Sequence, residues 1–501
     1  MKKRIYIFIC VLPLFVVGAC DDFLTQISEN NTTIFNHFNT EEDVESAVYG
    51  MHLDFRTAIG SNTQIVRDRA MLLDVIGISK WDKANKNDFT SYSATDVAFN
   101  WYYEYLAIST ANLVISNIHK AGLPEERFRF YMGQALCIRA YLYFHLIRLW
   151  GDVPLVLKYE DLSEKARTPW REVAARVMED LELAASYLPP ADELKDSQGV
   201  AIRNKQIPSK GTAYAILAHV YAWMAGFGQE PEYYVKGIEA AGKVIGDPNY
   251  SLVDSPEEIC TEVIPGNSRE GIFEISYSVE LDEIKNSGSY MGAVVQAWPI
   301  VRNATPATRR KNYLLNSTVE KLYEPQDLRL KAYFQDFFEM KEQPVSVTQG
   351  AAYVRMWRYL EYYSGGVQDG RPKTYRANDI LICLADIILL RAEMEAATGD
   401  REAAEADLNA IRRRAGASDY TASEGDLKRA IQLERDKELL FQTNVRYFDH
   451  MRNHTYNQLK GGFKTLTEEA VKQGALFLPI SLHAMTDNPM TKQTSYWLGK
   501  F

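Results

Sequence analysis

Cysteine is scarce: five in 501 residues. Cys137, Cys260 and Cys383 lie far apart, and no pair has the spacing of a zinc site. Cys137 in ALCIRAYLYF and Cys383 in ILICLADIILL are flanked by apolar residues. Buried free thiols are therefore expected, since cysteine packs as a small hydrophobe. Catalytic signatures are missing as well: there is no dinucleotide loop, P-loop, G-x-S-x-G or H-E-x-x-H. Dense basic runs are also absent. With 56 basic and 66 acidic residues the formal charge is −10, which makes a poor nucleic-acid binder. The triplet Arg412 to Arg414 lies among acids on a predicted helix and reads as a solvated face.

What is present begins at the N-terminus. Lys2, Lys3 and Arg4 precede an apolar stretch from Ile5 to Val17, shorter than the ~20 residues of a membrane-spanning helix. This fits the h-region of a secretory signal. Gly18-Ala19 stand directly before Cys20, and Asp21-Asp22 directly after it. The arrangement resembles a bacterial lipobox, which expects residues 1–19 to be removed and Cys20 to be lipidated. Acyl chains then anchor a soluble domain, each buried CH2 adding roughly 0.8 kcal/mol. The alternative is an ordinary secretory signal in which Cys20 is incidental.

The rest, 20–501, is read as one mainly α domain, and 46% hydrophobic residues are ample for its core. DVAFNWYYEYLAISTANLVISNIHKAG has helical periodicity and closes on Ala121-Gly122. In the next helix Leu136, Ala140, Tyr143, Ile147 and Trp150 share a face, and Gly151 and Pro154 stop it. TPWREVAARVMEDLELAASYLPP places Thr168 as N-cap and Pro169 at the first helical position, ending at Pro189-Pro190. Two later pairs, AYAILAHVYAWMAGF with PEYYVKGIEAAGKVI and LADIILLRAEMEAATGD with REAAEADLNAIRRRAGA, follow. They interleave small and large apolar residues, which resembles tetratricopeptide units of ~34 residues. A plain helical bundle is the alternative. Residues 254–376 differ: GIFEISYSV alternates like a strand, YVRMWRYLEYY reads as extended, and the rest is rich in Gly, Ser, Asn and aromatics. This predicts a loop-rich, mostly irregular lobe with a few short strands, the kind of insertion that carries function.

Taken together, CDDFL, ALCIRAYLYFHLIRLWGDVPLV, LICLADIILLRAEMEAATGD, LERDKELLFQTNVRYFDHMR and LFLPISLHAMTDNPM, in that order, resemble the SusD/RagB family of Bacteroidetes outer-membrane lipoproteins. Gln442-Thr443 stand where that family commonly has Glu-Gly, so the local turn differs. The resemblance implies a tetratricopeptide-like helical scaffold under a variable ligand-binding face. It also implies a surface lipoprotein facing the cell exterior, partnered by a SusC-like TonB-dependent transporter to which it delivers a glycan. It implies no enzyme and no cofactor. A peptide-binding or protein-scaffolding lipoprotein is the second reading, and an outer-membrane hydrolase the third.

His450 and His454, four apart, suit a surface pair near a helix end better than a metal site. Glu434, Arg435, Glu438, Arg446, Asp449 and Arg452 read as a partly buried ion-pair network rather than an active site. Tyr141, Tyr143, Tyr221 and Trp223 have apolar neighbours and read as core. For a sugar, an aromatic ring packs on the apolar face of a pyranose while polar groups hold its hydroxyls. Trp81 has a polar setting unusual for a core tryptophan, and Tyr290 and Trp298 lie in the irregular lobe. These three, with Asp74 as hydroxyl acceptor, form the expected ligand site. Alternatively Trp298, followed by Pro299 and Ile300, plugs the lobe's own small core.

Overall fold

The computed structural model describes residues 38–70, 75–76, 86–89, 92–96, 99–277, 297–308, 313–442, 445–459 and 461–501. Eight helices build the scaffold: α1 (Glu41–Ala70), α2 (Tyr102–Asn117), α3 (Glu125–Trp150), α4 (Trp170–Tyr187), α5 (Lys210–Gly226), α6 (Tyr233–Ile245), α7 (Leu384–Thr398) and α8 (Arg401–Arg414). Each packs on the next along the chain, giving four stacked helix pairs. This is the tetratricopeptide-like arrangement expected from the interleaved small and large residues. Small residues set the spacing where helices approach closely: a Cβ at Gly237 on α6 would collide with Met394 Sδ on α7.

Helix ends follow local chemistry. Ser209 caps α5 in a capping box with Thr212, and Asp400 caps α8 through Ala403 N. Gly122, at φ 57°, ends the 3-10 turn Ile118–Ala121 that extends α2. One cap differs from expectation. Thr168 does not cap α4; it bridges to Val153, and Pro169 occupies the N-cap position. The first helical amide, Trp170 N, instead donates to Asp152 Oδ1 at 2.9 Å. This explains the Gly-Asp-Val-Pro turn after α3. Gly151 has φ 71° and lies where a Cβ would stand 2.8 Å from the Phe477 ring. Asp152 caps the next helix, and Pro154 O accepts from Tyr105 Oη at 2.5 Å.

Helix α3 runs through the centre. Its predicted face is buried, but so is nearly everything else from Phe130 to Trp150. Its buried cation Arg139 is fully paired, as burial without a partner is costly. Arg139 holds Asp180 through two nitrogens at 2.8 and 2.9 Å, and Asn112 Oδ1 at 2.8 Å. Tyr141, Tyr143, Tyr221 and Trp223 are core, and Cys137, Cys260 and Cys383 are buried free thiols.

Between α6 and α7 the described residues form only short elements. Strand β2 (Gly271–Ile275) pairs antiparallel with β7 (Asp379–Cys383), holding the two ends of this region together at the start of α7. All five residues of β2 are buried, so GIFEI does not alternate in exposure. A three-stranded sheet joins β1 (Val75–Ile76), β3 (Tyr313–Leu315) and β4 (Ala351–Ala352) in the order β1-β3-β4. A hairpin pairs β5 (Leu360–Tyr362) with β6 (Pro372–Tyr375). Four helices of four to seven residues fall between Asn316 and Thr348.

Candidate ligand-binding site

Of the expected site residues, Asp74, Trp81 and Tyr290 lie outside the described residues, as does Cys20. Trp298 is described. It is half-buried and meets Tyr353 edge to face, with ring centroids 5.4 Å apart at 80°. Tyr353 is 5% exposed, and its hydroxyl donates to Thr348 O at 3.0 Å. The ring supporting Trp298 is therefore fixed by its own hydrogen bond. Tyr353 directly follows β4, whose sheet also contains β1, the strand immediately after Asp74. Two segments distant in sequence thus share one small sheet beside the Trp298 ring.

The sequence reading missed two neighbours. Arg302 N donates to Tyr362 Oη at 3.0 Å, and its guanidinium lies 5.0 Å from the centre of that ring. Tyr359, three residues earlier, is 41% exposed. The signal was the aromatic run RYLEYY, which its reading as a strand left without a role.

The acidic and basic residues of the C-terminal signature have another purpose. They lie on α9 (Leu427–Glu438) and α10 (Arg446–Arg452), and Glu434, Arg435, Glu438, Asp449 and Arg452 are buried. Arg329 contacts Asp327 at 2.8 Å, Glu434 at 2.6 Å and Glu438 at 3.0 Å. Arg435 joins Asp386 at 2.7 Å to Asp449 at 2.6 Å, and Arg452 joins Asp449 to Glu393. Arg446 pairs with Asp436 at 2.9 Å. Burial alone would raise the Glu434 carboxyl, but Arg329, Lys437 and Arg412 bring it down to about 2. Asp386 is likewise held well below the carboxylate range, burial being outweighed by His219 and Arg435. The network is structural, as the sequence suggested, and more deeply buried than expected.

Two surface expectations are corrected. Arg412 and Arg414 do not face solvent: Arg412 reaches Glu434 at 3.0 Å, and Arg414 reaches Glu438 at 2.6 Å and Glu270 at 2.8 Å. Consecutive helical residues point about 100° apart, and only Arg413 turns outward, toward Asp419. His450 is also buried, with Nδ1 3.0 Å from Gln432 Nε2, whereas His454 is at the surface and stacks on Phe227. Burial pushes His450 down to about 3. Gln442 is buried, following Phe441 at φ 59°, and Thr443 lies outside the described residues.

Among the described residues, no group of three or more His, Cys, Asp or Glu could hold a metal ion, and no helix is long and apolar enough to cross a membrane. A cleft of about 820 Å³ lies at the starts of α1 and α3 and the end of α4. Glu126, Tyr187, Pro190, Asp192, Lys195 and Lys210 are among its lining residues.

Residues 22–222 match a family model described as starch-binding associating with outer membrane, and residues 317–497 match the SusD family. Among curated proteins, SusD-like protein P2 of Formosa agariphila is 26% identical, over 92% of each chain. SusD-like protein P38 of the same organism is 24% identical, over 97% of each. Among solved structures, a SusD homologue from Bacteroides thetaiotaomicron superposes with a TM-score of 0.76 at 22% identity. That superposition covers 91% of this chain and 98% of the other. NanU of B. fragilis gives 0.71 at 20% identity, covering 93% and 99%. With the helical scaffold, the C-terminal network and two family matches that together take in most of its length, the chain belongs to the SusD/RagB family.

Proposed function

We propose that this protein is a surface lipoprotein that captures an oligosaccharide and delivers it to a SusC-like TonB-dependent transporter. Family membership supports glycan binding and nutrient uptake as the family-level role. The outer-membrane association in the matched model's description agrees with a lipid anchor on Cys20. In this reading the protein binds its ligand without transforming it. The observation that carries the site is the meeting of the β1-β3-β4 sheet with the Trp298–Tyr353 pair. It supports a ligand face made from the segment around Asp74 and Trp81 together with the lobe of Tyr290 and Trp298. A half-buried Trp298 ring keeps exposed surface for a pyranose, and Arg302, four residues on and bonded to Tyr362, adds polar groups to the same segment.

The competing role for Trp298, a plug for the lobe, is distinguished by truncation. Trp298→Ala should weaken glycan binding by at least ~1 kcal/mol and leave the melting temperature nearly unchanged. Trp223→Ala, in the core at 1% exposure, should cost roughly 3–5 kcal/mol of stability. Calorimetric titration and thermal melts measure both. Unaltered glycan affinity in Trp298→Ala would remove this ring from the site. The second reading, a peptide or protein binder, draws on the polar cleft of about 820 Å³ at the helix ends.

A further inference from the structure

A smaller cleft of about 200 Å³ opens between the loop that leads into α5 and the loop that leads into β2. It shares no lining residue with the Trp298 face. Its acceptors are used within the chain. Asn204 Oδ1 accepts from Gln206 N at 2.7 Å and Ser276 Oγ at 2.8 Å. Asn267 Oδ1 accepts from Lys205 N at 3.1 Å. Ser268 Oγ accepts from Glu270 N at 3.3 Å and Gly271 N at 3.0 Å. A backbone amide can only donate, so these bonds fix which end of each side chain is taken. The two amides and the hydroxyl are left with N–H and O–H to offer. Asn249 is the exception, its Nδ2 donating to Asp247 Oδ1 at 2.9 Å.

Two cations line the same space without a carboxylate partner. Lys205 Nζ lies 5.0 Å from the centre of the Tyr250 ring and makes no ion pair among the described residues. Arg203 is exposed and makes none there either. Burial lowers the Lys205 pKa, against the longer-range pull of Glu274 and Asp247. Both of those acids are already engaged. Glu274 Oε2 accepts from Asn267 N at 2.9 Å and Asn378 Nδ2 at 2.7 Å, and Asp247 Oδ1 accepts from Asn249 N at 2.9 Å. Arg269, the third cation of the lining, is answered by Asp254 at 3.2 Å and Glu258 at 3.1 Å. Asp192, which is exposed, is the one carboxylate of the lining.

We propose that this cleft is a second binding site, for an oxyanion: a sulfate, phosphate or carboxylate group, free or carried on a sugar. Such a group would replace the water that Lys205 Nζ has lost. It would also accept from Asn204 Nδ2, Asn267 Nδ2 and Ser268 Oγ, whose hydrogens have no acceptor among the described residues. The volume is below the ~300–1,000 Å³ of sites for drug-sized ligands, so the occupant is one small ion or one acidic sugar unit rather than a chain.

The test uses the full lipidated chain in a non-ionic detergent and a chloride buffer. Sodium sulfate, sodium phosphate or sodium glucuronate at millimolar concentration should raise the thermal midpoint above that in sodium chloride of equal ionic strength. A ligand held only by the folded chain stabilises it. Neutral galactose should leave the midpoint where it was. Lys205→Met keeps an apolar stem on the Tyr250 ring and removes the charge. It should lower anion affinity about tenfold or more, while its midpoint without anion stays near the wild-type value. A merely structural lysine would do the reverse, lowering the midpoint and keeping the anion shift. Arg203→Gln, at an exposed position, should fold as the wild type does and weaken the anion several-fold. A larger shift from glucuronate than from sulfate or phosphate assigns the group to a sugar, and the opposite order to a free ion; either order supports the site. No shift beyond the chloride control, an equal shift from galactose, or a wild-type anion shift in either variant would overturn it. None of these outcomes touches the glycan face at Trp298.

Discussion

Acid should destabilise this protein as pH falls through 6.5, because three neutral histidines, His52, His145 and His450, are buried in it. His450 Nδ1 lies 3.0 Å from the Gln432 amide nitrogen and 2.9 Å from Thr455 Oγ1, and among the described residues Nε2 has no hydrogen-bond partner. Burial, with Arg446 adding to it, moves this imidazole from 6.5 down to about 3. His52 Nε2 lies 3.0 Å from Gln134 Oε1, and burial moves it from 6.5 to about 4. In both, the unfolded chain takes up a proton that the folded chain refuses. Stability is therefore complete above about pH 7.5 and is lost as pH falls through 6.5 toward the folded values. At pH 5 the cost is about 1.4 kcal/mol per unit over about 1.5 units, or about 2 kcal/mol for each histidine. Glu395 opposes the trend. Burial and then Asp407 push it up to about 7, so it adds stability as pH falls over the same range. A variant cancels that common contribution. His450→Asn keeps an acceptor for Gln432 and cannot take the proton. Urea unfolding at pH 7.5 and pH 5 should show a loss about 2 kcal/mol smaller in the variant than in the wild type. An identical pH dependence in both would refute the reasoning.

Three further outcomes are expected. Glu434→Gln should cost ~3–5 kcal/mol in urea unfolding, because Arg329 and Arg412 are left buried without their shared carboxylate; a loss below ~1 kcal/mol would contradict this. Gly151→Ala should destabilise by about 1–3 kcal/mol, since it adds a Cβ at φ 71° against the Phe477 ring, and a thermal melt measures it. Cys20→Ala should abolish incorporation of labelled fatty acid and release the protein from the outer membrane fraction.

The long helices were legible because their periodicity and end signals are local. The Gly122 terminus and the core Tyr and Trp residues follow from neighbours a few positions away. The cap of α4 was not, because its acceptor is Asp152, eighteen residues back and on the far side of a turn. Arg412 and Arg414 were misread for a similar reason. Their carboxylates, Glu270, Glu434 and Glu438, come from other elements, and only the fold brings them together. The C-terminal network was legible as ion pairs because Glu434 and Glu438 share a helical face. The candidate site was legible only as residue types. Trp298 depends on Tyr353, fifty-five positions later, and nothing in either local sequence announces that contact.

The most direct test of the central claim is uptake of a labelled oligosaccharide by intact cells at limiting concentration. Cells lacking this chain but retaining the transporter should take it up far more slowly, and the wild-type gene should restore the rate. Equal uptake with and without the chain, across the glycans that the locus supports growth on, would contradict a role in capture and delivery.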